Sequence, residues 1–398
     1  MPSRMLAEIA EQPEALRRTF AALVPRIGEL EALADETRQV LFIARGSSDN
    51  AAVYGQYLCS ARAGRLTTLA APSLATAYHA TLDLRGVLAV AISQSGATEE
   101  IVTTLTWART CGARTVAITN VPGSPLADAA DLALLTQAGP EQAVPATKTY
   151  TTQLAAVAVL ATALGRAGGD REPGGARGGE DRDARGRGGL EAELEALGRV
   201  PEAVAGMLEL APAAERLAER LVGVETLVVS GRGFAYSTAL EVALKLKETC
   251  YLTAVGLSYA DLVHGPIAIV DAGTPALLVA AADGPMLPDM TALARRIAET
   301  RADVYGIGGD PAFAAACQAT IPGPSLPTDP SLPADPSHPA DPSHPTGPPP
   351  PGGRSLPEHL APFALIVPGQ LLAEALARAK GIDPDAPRGL RKVTQTGS

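Results

Sequence analysis

The chain has 398 residues, 46% of them hydrophobic, with 33 Lys and Arg against 43 Asp and Glu and a net charge of −10. That length suits one large core or two ordinary ones. The acidity argues against a nucleic-acid surface, which needs clustered cations, and means that an anionic ligand must be held by local donors.

The N-terminal residues Met1–Ile9 lack the apolar stretch of a signal peptide. Gly86–Ile92 and Leu154–Leu164 read as the longest apolar runs. Both fall short of the ~20 residues of a membrane span, so a cytoplasmic protein without membrane contact is expected. The four cysteines, Cys59, Cys111, Cys250 and Cys317, show no CxxC spacing. Cys59 and Cys317 sit among apolar neighbours and read as reduced core thiols.

In chain order, the apolar run Val40–Ala44 predicts a buried strand, followed by Arg45-Gly-Ser-Ser48 and a helix to about Ala61. A second strand is expected over Gly86–Ser93, then a turn over Gln94–Glu99 and a helix through Ala108. Thr115–Thr119 and Leu132–Thr136 read as further strands, with a helix from Thr147 to Leu164. Arg166–Gly189, rich in Gly, Arg, Asp and Glu, has no apolar periodicity and is expected to be structureless.

The unit then recurs. Leu227–Gly233 repeats the pattern of Val40–Gly46, and Ala276–Ala281 and Asp303–Ile307 read as later strands. Pro322–Pro357 carries a drifting Pro-Ser-Leu/His-Pro hexad and is expected to be an extended, disordered insert. His338 and His344 in it make a poor metal site, being two ligands on a flexible segment. Strands alternating with helices, each strand a continuous apolar run, predict parallel sheets covered on both faces. The fold class is therefore α/β, with two doubly wound lobes divided near residues 195 and 196. Ligands in such sheets sit beyond the carboxyl ends of the strands.

The turn Ser93-Gln94-Ser95-Gly96-Ala97-Thr98-Glu99 leaves a predicted strand and opens a helix, so main-chain N–H groups and the helix dipole face it. Ser93, Ser95 and Thr98 add hydroxyls, and Gly96 permits close approach. Helix capping uses only one hydroxyl, so the surplus points to a phosphate monoester. No Lys and no GxxxxGK[ST] pattern accompanies the turn, which excludes a nucleotide triphosphate loop. Ser48, in the turn after the first strand, would form a second wall of the same pocket. The corresponding turns of the second lobe lack hydroxyls, so one pocket per chain is expected.

Glu241, Lys245 and Glu248 share one face of the helix that opens the second lobe. Such spacing commonly marks a solvated ion pair, yet this helix begins at a strand's carboxyl end. His264, held in Asp261-Leu-Val-His-Gly-Pro266, is a possible partner for proton transfer. His79 and His359 have no comparable context and read as structural.

Taken together, these segments resemble the sugar isomerase (SIS) family, in particular the isomerase half of glucosamine-6-phosphate synthase and stand-alone SIS-type glucosamine-6-phosphate deaminases. The matching segments are Arg45–Ser48, Ser93–Thr98, Asn120–Ser124, Val144–Lys148 with Thr151–Gln153, Ala243–Glu248, His264–Pro266 and the tail Asp385–Thr394. The resemblance implies that Ser48, Ser93, Gln94, Ser95, Thr98 and Val144 bind the phosphosugar. It makes Glu248 the proton-shuttling base, His264 the ring-opening acid and base, Lys245 an aid to proton exchange at the sugar oxygens, and Lys392 the group that engages the carbonyl or imine carbon.

The expected reaction is glucosamine 6-phosphate to fructose 6-phosphate and ammonia, with burial raising the Glu248 pKa toward roughly 6–7. No metal or cofactor is expected, because the imine or enediol is itself the electron sink. The start at Met1-Pro2 leaves no room for a glutaminase, and the ending Arg391–Thr396 is similar to the deaminases, so glutamine-dependent synthesis is not expected. Alternatives are another phosphosugar, such as galactosamine 6-phosphate or a fructosamine 6-phosphate adduct, or a non-catalytic sugar-phosphate sensor. A homodimer is the expected assembly.

Overall fold

The computed structural model describes residues 2–168, 179–324 and 356–392. It contains two five-stranded sheets in which every paired strand runs parallel. The first sheet holds β1 (Gln39–Ile43), β2 (Leu66–Leu69), β3 (Val87–Ile92), β4 (Arg114–Thr119) and β5 (Leu132–Leu135), in the order β2-β1-β3-β4-β5. The second holds β6 (Thr226–Gly231), β7 (Thr253–Ser258), β8 (Ala276–Ala280), β9 (Val304–Gly308) and β10 (Ala319–Ile321), in the order β10-β9-β8-β6-β7.

Counted from its other edge, the second order repeats the first strand for strand, so the lobes share one topology. Central strands are dry on both sides: all six residues of β3 are buried, as helices on each face of a parallel sheet require. Register sets Val40 opposite Leu88 and Val229 opposite Leu277.

One apolar cluster runs through both lobes, joining Phe42 and Val90 of the first sheet to Val229 and Leu277 of the second. The helix Ala361–Ala379 fills its centre, with every residue from Ala361 to Ala377 buried. This helix corrects the reading of the apolar runs. The stretch Glu358–Ala379, 22 residues long with a mean hydropathy of 1.6 in its most apolar window, is long and apolar enough to cross a membrane. Its most apolar window is wholly buried inside the protein, so here the composition reflects a core helix wrapped by others. Pro362, Pro368 and Gly369 interrupt the run in sequence and hide it from a reading by periodicity.

The first insert is also shorter than expected. The helix Lys148–Gly168 runs past Arg166, and a further helix, Gly179–Leu208, begins inside the segment read as structureless. The buried positions Leu197, Val200 and Val204 anchor its later turns, and helix propagates cheaply outward from such a packed segment. Residues 195 and 196 both lie within it, so the passage between the lobes is helical. The hexad repeat, with His338 and His344, lies outside the described residues. Among the described residues no cluster of three or more His, Cys, Asp or Glu could hold a metal ion.

Candidate active site

In the order β2-β1-β3 the chain changes its direction of travel across the sheet between β1 and β3, the place where open parallel sheets form their ligand crevice beyond the strand ends. After β1, Gly46 takes φ +62° and ψ −133°, a conformation open to glycine, and starts the helix Ser47–Ala63. After β3 comes the hydroxyl turn. Arg45 ties the two turns together by a fork of bonds, at 3.0 and 3.2 Å, to Glu100.

In the turn, Ser93 is buried and its Oγ lies 3.4 Å from Thr98 Oγ1. Ser95 Oγ accepts from Ala97 N at 3.2 Å. Thr98 is the N-cap residue of the helix Glu99–Thr110, yet its side chain makes no capping bond. Capping therefore does not account for this hydroxyl. Gly96, at φ +61°, packs so tightly that a Cβ there would lie 2.1 Å from Ser124 Oγ and 2.8 Å from Thr119 Oγ1. The carbonyl of Gln94 accepts from Asn120 N at 3.0 Å, which fixes the turn against β4 while leaving the Gln94 side chain half-buried. Ser48 is buried in the first turn of the neighbouring helix.

The helix Ala235–Cys250 packs against Ser47–Ala63 and brings the second lobe's charged face to this crevice. Lys245 and Glu241 are fully buried, whereas 22% of the Glu248 side chain remains exposed. The Lys245 ammonium lies 2.5 Å from Glu248 Oε2, 3.4 Å from Glu241 Oε1 and 3.1 Å from Ser47 Oγ of the other lobe. Asn50 Nδ2 donates to Glu241 Oε2 at 2.7 Å. A shallow cleft of about 210 Å³ adjoins the group, lined by Gly46, Asn50, Leu244 and Lys247 among others.

Burial opposes the charge on Lys245, but Glu241 and Glu248 outweigh it and raise its pKa, so the group stays an ammonium. Burial raises the pKa of Glu241, against the opposing pull of Lys245. The spacing in sequence suggested a solvated ion pair as the ordinary account. The structure places the pair in the interior instead, where the two carboxylates offset the cost of burying the ammonium.

A second ion pair closes the other side. Lys392 Nζ donates to Glu141 Oε2 at 2.7 Å and to the Ala143 carbonyl at 2.6 Å. Glu141 is fully buried and also accepts from Thr147 N, Thr149 N and Thr149 Oγ1, at 2.9, 3.1 and 2.6 Å. These donors overcome the effect of burial and hold its pKa below the ordinary range. Its charge is also felt at Lys245, so the two pairs share one electrostatic environment. Val144 takes part through its backbone, its N–H donating to the Asp385 carbonyl at 3.0 Å.

His264 stands apart. It is exposed at the end of the short helix Tyr259–Val263, and among the described residues no hydrogen bond or ion pair joins its ring to Glu248 or Lys245. Between Glu248 and His264 the chain runs through β7, Thr253–Ser258. Sequence reasoning missed Ser47, Asn50 and Glu141 as site groups. Their partners lie far along the chain (198 residues for Ser47 to Lys245), and no local spacing announces such a contact.

The SIS domain model matches residues 33–163 and 220–321, one segment for each sheet. Glutamine–fructose-6-phosphate aminotransferase (isomerizing) of Pyrococcus horikoshii is 32% identical over 394 residues, covering 98% of this chain and 57% of the relative. The enzyme of the same name from Symbiobacterium thermophilum is 34% identical over 404 residues, covering 98% of this chain and 58% of the relative. The chain thus spans less than three fifths of the length of these curated relatives. Among solved structures, the C-terminal domain of glucosamine-fructose-6-phosphate aminotransferase from Francisella tularensis matches with a TM-score of 0.80 at 25% identity, covering 97% of this chain and 99% of that one. Two lobes of one topology, each overlaid by its own SIS match, make the chain a member of the SIS domain family.

Proposed function

We propose that the chain is an aldose–ketose isomerase of phosphosugars, and that its reaction converts glucosamine 6-phosphate and water to fructose 6-phosphate and ammonia. One observation carries this reading: a buried ammonium, Lys245, is shared between a buried carboxylate and a partly exposed one and donates to Ser47, at the start of the helix that follows β1. The relatives are named for action on fructose 6-phosphate, which supports the substrate class.

In this reading Ser93, Ser95 and Thr98 hold the phosphate with the N-terminal amides of the Glu99–Thr110 helix, and Ser48 lines the adjoining wall. Glu248, whose carboxylate reaches the crevice, takes the C2 proton of the open-chain amino sugar and returns it at C1. The aldehyde and the C2 amine thereby become a C1 alcohol and a C2 imine. Lys245 supplies positive charge and a proton to the sugar oxygens as charge develops on them. Water then adds to the imine carbon and ammonia leaves, and in this proposal Lys392 is the amine that engages that carbon. We extend the proposal to a soluble, cytoplasmic homodimer, in which the exposed His264 is free to serve ring opening in a second copy.

Ammonia release measured over a panel of amino-sugar 6-phosphates, together with exchange of the C2 hydrogen into solvent, tests the reading. Glucosamine 6-phosphate should give both signals. Binding with neither signal on any sugar of the panel would overturn catalysis in favour of a sensor.

A further inference from the structure

The C-terminal segment after Ala379 contains no helix or strand among the described residues; Ile382 packs against the core, Pro384 and Pro387 are buried, and discrete polar contacts hold the rest. Lys380 Nζ donates to the Val224 carbonyl at 3.2 Å where the segment begins, and three further places fasten it beyond that residue. Asp385 accepts from Arg4 N and Met5 N, both at 2.8 Å, with its two carboxylate oxygens, while its carbonyl accepts from Val144 N at 3.0 Å. Arg388 N donates to the Tyr251 hydroxyl at 2.8 Å, and its guanidinium lies 4.3 Å over the Tyr251 ring. Tyr251 directly follows the helix that carries Glu248. Lys392 then returns to Glu141 and Ala143.

The tail therefore leaves the Glu141–Val144 loop at Asp385, touches the second lobe at Tyr251 and comes back to the same loop. That loop is itself held from the N-terminal helix, whose Glu8 carboxylate accepts from Gln142 N and from Ala143 N, the latter at 3.2 Å. One helix, Arg4–Ala10, is thus the common anchor of the loop and the tail.

We infer that Asp385 is a positioning residue: by pinning the tail to the N-terminal helix and the Glu141–Val144 loop, it delivers Lys392 to the crevice. The inference rests on the role proposed for Lys392. Of the three fastenings, Asp385 alone joins the tail to two separate backbone segments, and it spends both carboxylate oxygens and its carbonyl in doing so. Arg388 holds the middle of the arc, and Lys392 is its working end. Without Asp385 the amine would be displaced on a loose strand, and misplacement by about 1 Å costs on the order of 10²-fold in rate.

The test uses the full chain and its Asp385→Ala and Asp385→Asn variants, with three readings. Amide hydrogen exchange of the 386–392 segment reports the anchor. Borohydride trapping with fructose 6-phosphate reports Lys392: its amine adds to the C2 carbonyl, water leaves, and the supplied hydride reduces the C=N bond to a stable secondary amine. Exchange of the C2 hydrogen of glucosamine 6-phosphate reports the Glu248 step. We expect faster tail exchange and trapping slowed about 10²-fold, with C2 exchange and the Michaelis constant close to wild type.

Unchanged tail exchange would overturn the inference outright. Equal loss of trapping and C2 exchange, with a fallen melting temperature, would reduce Asp385 to a structural residue. If the tail loosens but wild type itself forms no adduct, the reading of Lys392 has failed and the delivery role falls with it, while the anchor stands as an observation in its own right.

Discussion

The hydroxyls of the turn Ser93–Thr98 are bonded only within the turn, Thr98 making no capping bond, so each can still meet a ligand. A hydrogen bond to a charged group contributes about 1.5–3 kcal/mol, so Ser95→Ala should raise the Michaelis constant roughly 10- to 100-fold. An unchanged value in steady-state kinetics would remove the turn from the site. For Glu248, substitution by Gln keeps shape and hydrogen bonding but removes the base, and turnover should fall by about 10²–10⁴-fold. Normal exchange of the C2 hydrogen in that variant would place the base elsewhere.

Glu141 makes a prediction about pH. Its folded-state pKa is held below its ordinary 4.5 by Lys392 and the Thr donors. A depressed carboxylate contributes stability that is present above the unfolded pKa and lost as pH falls through the folded one. Glu141→Gln should therefore destabilise the protein at pH 7 and converge on wild type in acid below that range. Urea midpoints at several pH values would show it, and a constant gap between the two proteins would contradict it.

Among elements, the helix Ala361–Ala379 meets the acid–base helix at a point where only hydrogen fits. A Cβ on Gly369 would stand 2.3 Å from Val242 Cγ2, and Val242 adjoins Glu241 in sequence. Gly369→Val should thus cost about 1–3 kcal/mol through overpacking. It should also depress turnover, because the displaced helix carries Lys245 and Glu248; a variant with wild-type melting temperature and turnover would show that the two helices can part freely.

How legible these elements were follows from their chemistry. β1, β3, β4 and β6 announce themselves as β-branched apolar runs ending in Gly or Ser turns, and Glu241, Lys245 and Glu248 share a face by spacing alone. The sheet-edge strands β2, β7 and β10 did not. Leu66-Thr-Thr-Leu69 and Thr253–Ser258 mix polar with apolar residues because one side of each lies at the margin of its sheet. Glu141 was illegible for another reason: its role depends on Lys392, 251 residues away. No local pattern distinguishes it from the acidic residues on the surface.

Across the whole molecule, the hexad insert departs from the fold at Pro324 and rejoins it at Leu356, which is buried. Between these residues the composition is dominated by Pro, Ser, Asp and Gly, with few residues able to form a core. Deleting 324–352 should leave melting temperature and turnover within error of the full chain. Lost turnover in a folded protein would make the insert part of the site.

The continuity of the core across both lobes bears on the order in which the protein is made. On the ribosome the first sheet emerges well before residues 361–379, yet the helix they form belongs to the same apolar cluster as that sheet. In the helix Arg4–Ala10, Arg4 and Met5 receive their Asp385 contacts only after a further 381 and 380 residues have been made. The nascent N-terminal lobe must therefore wait with apolar surface uncovered, a state in which chains aggregate or engage chaperones. Chains halted before residue 361 should accumulate in the insoluble fraction, whereas chains released after residue 392 should not.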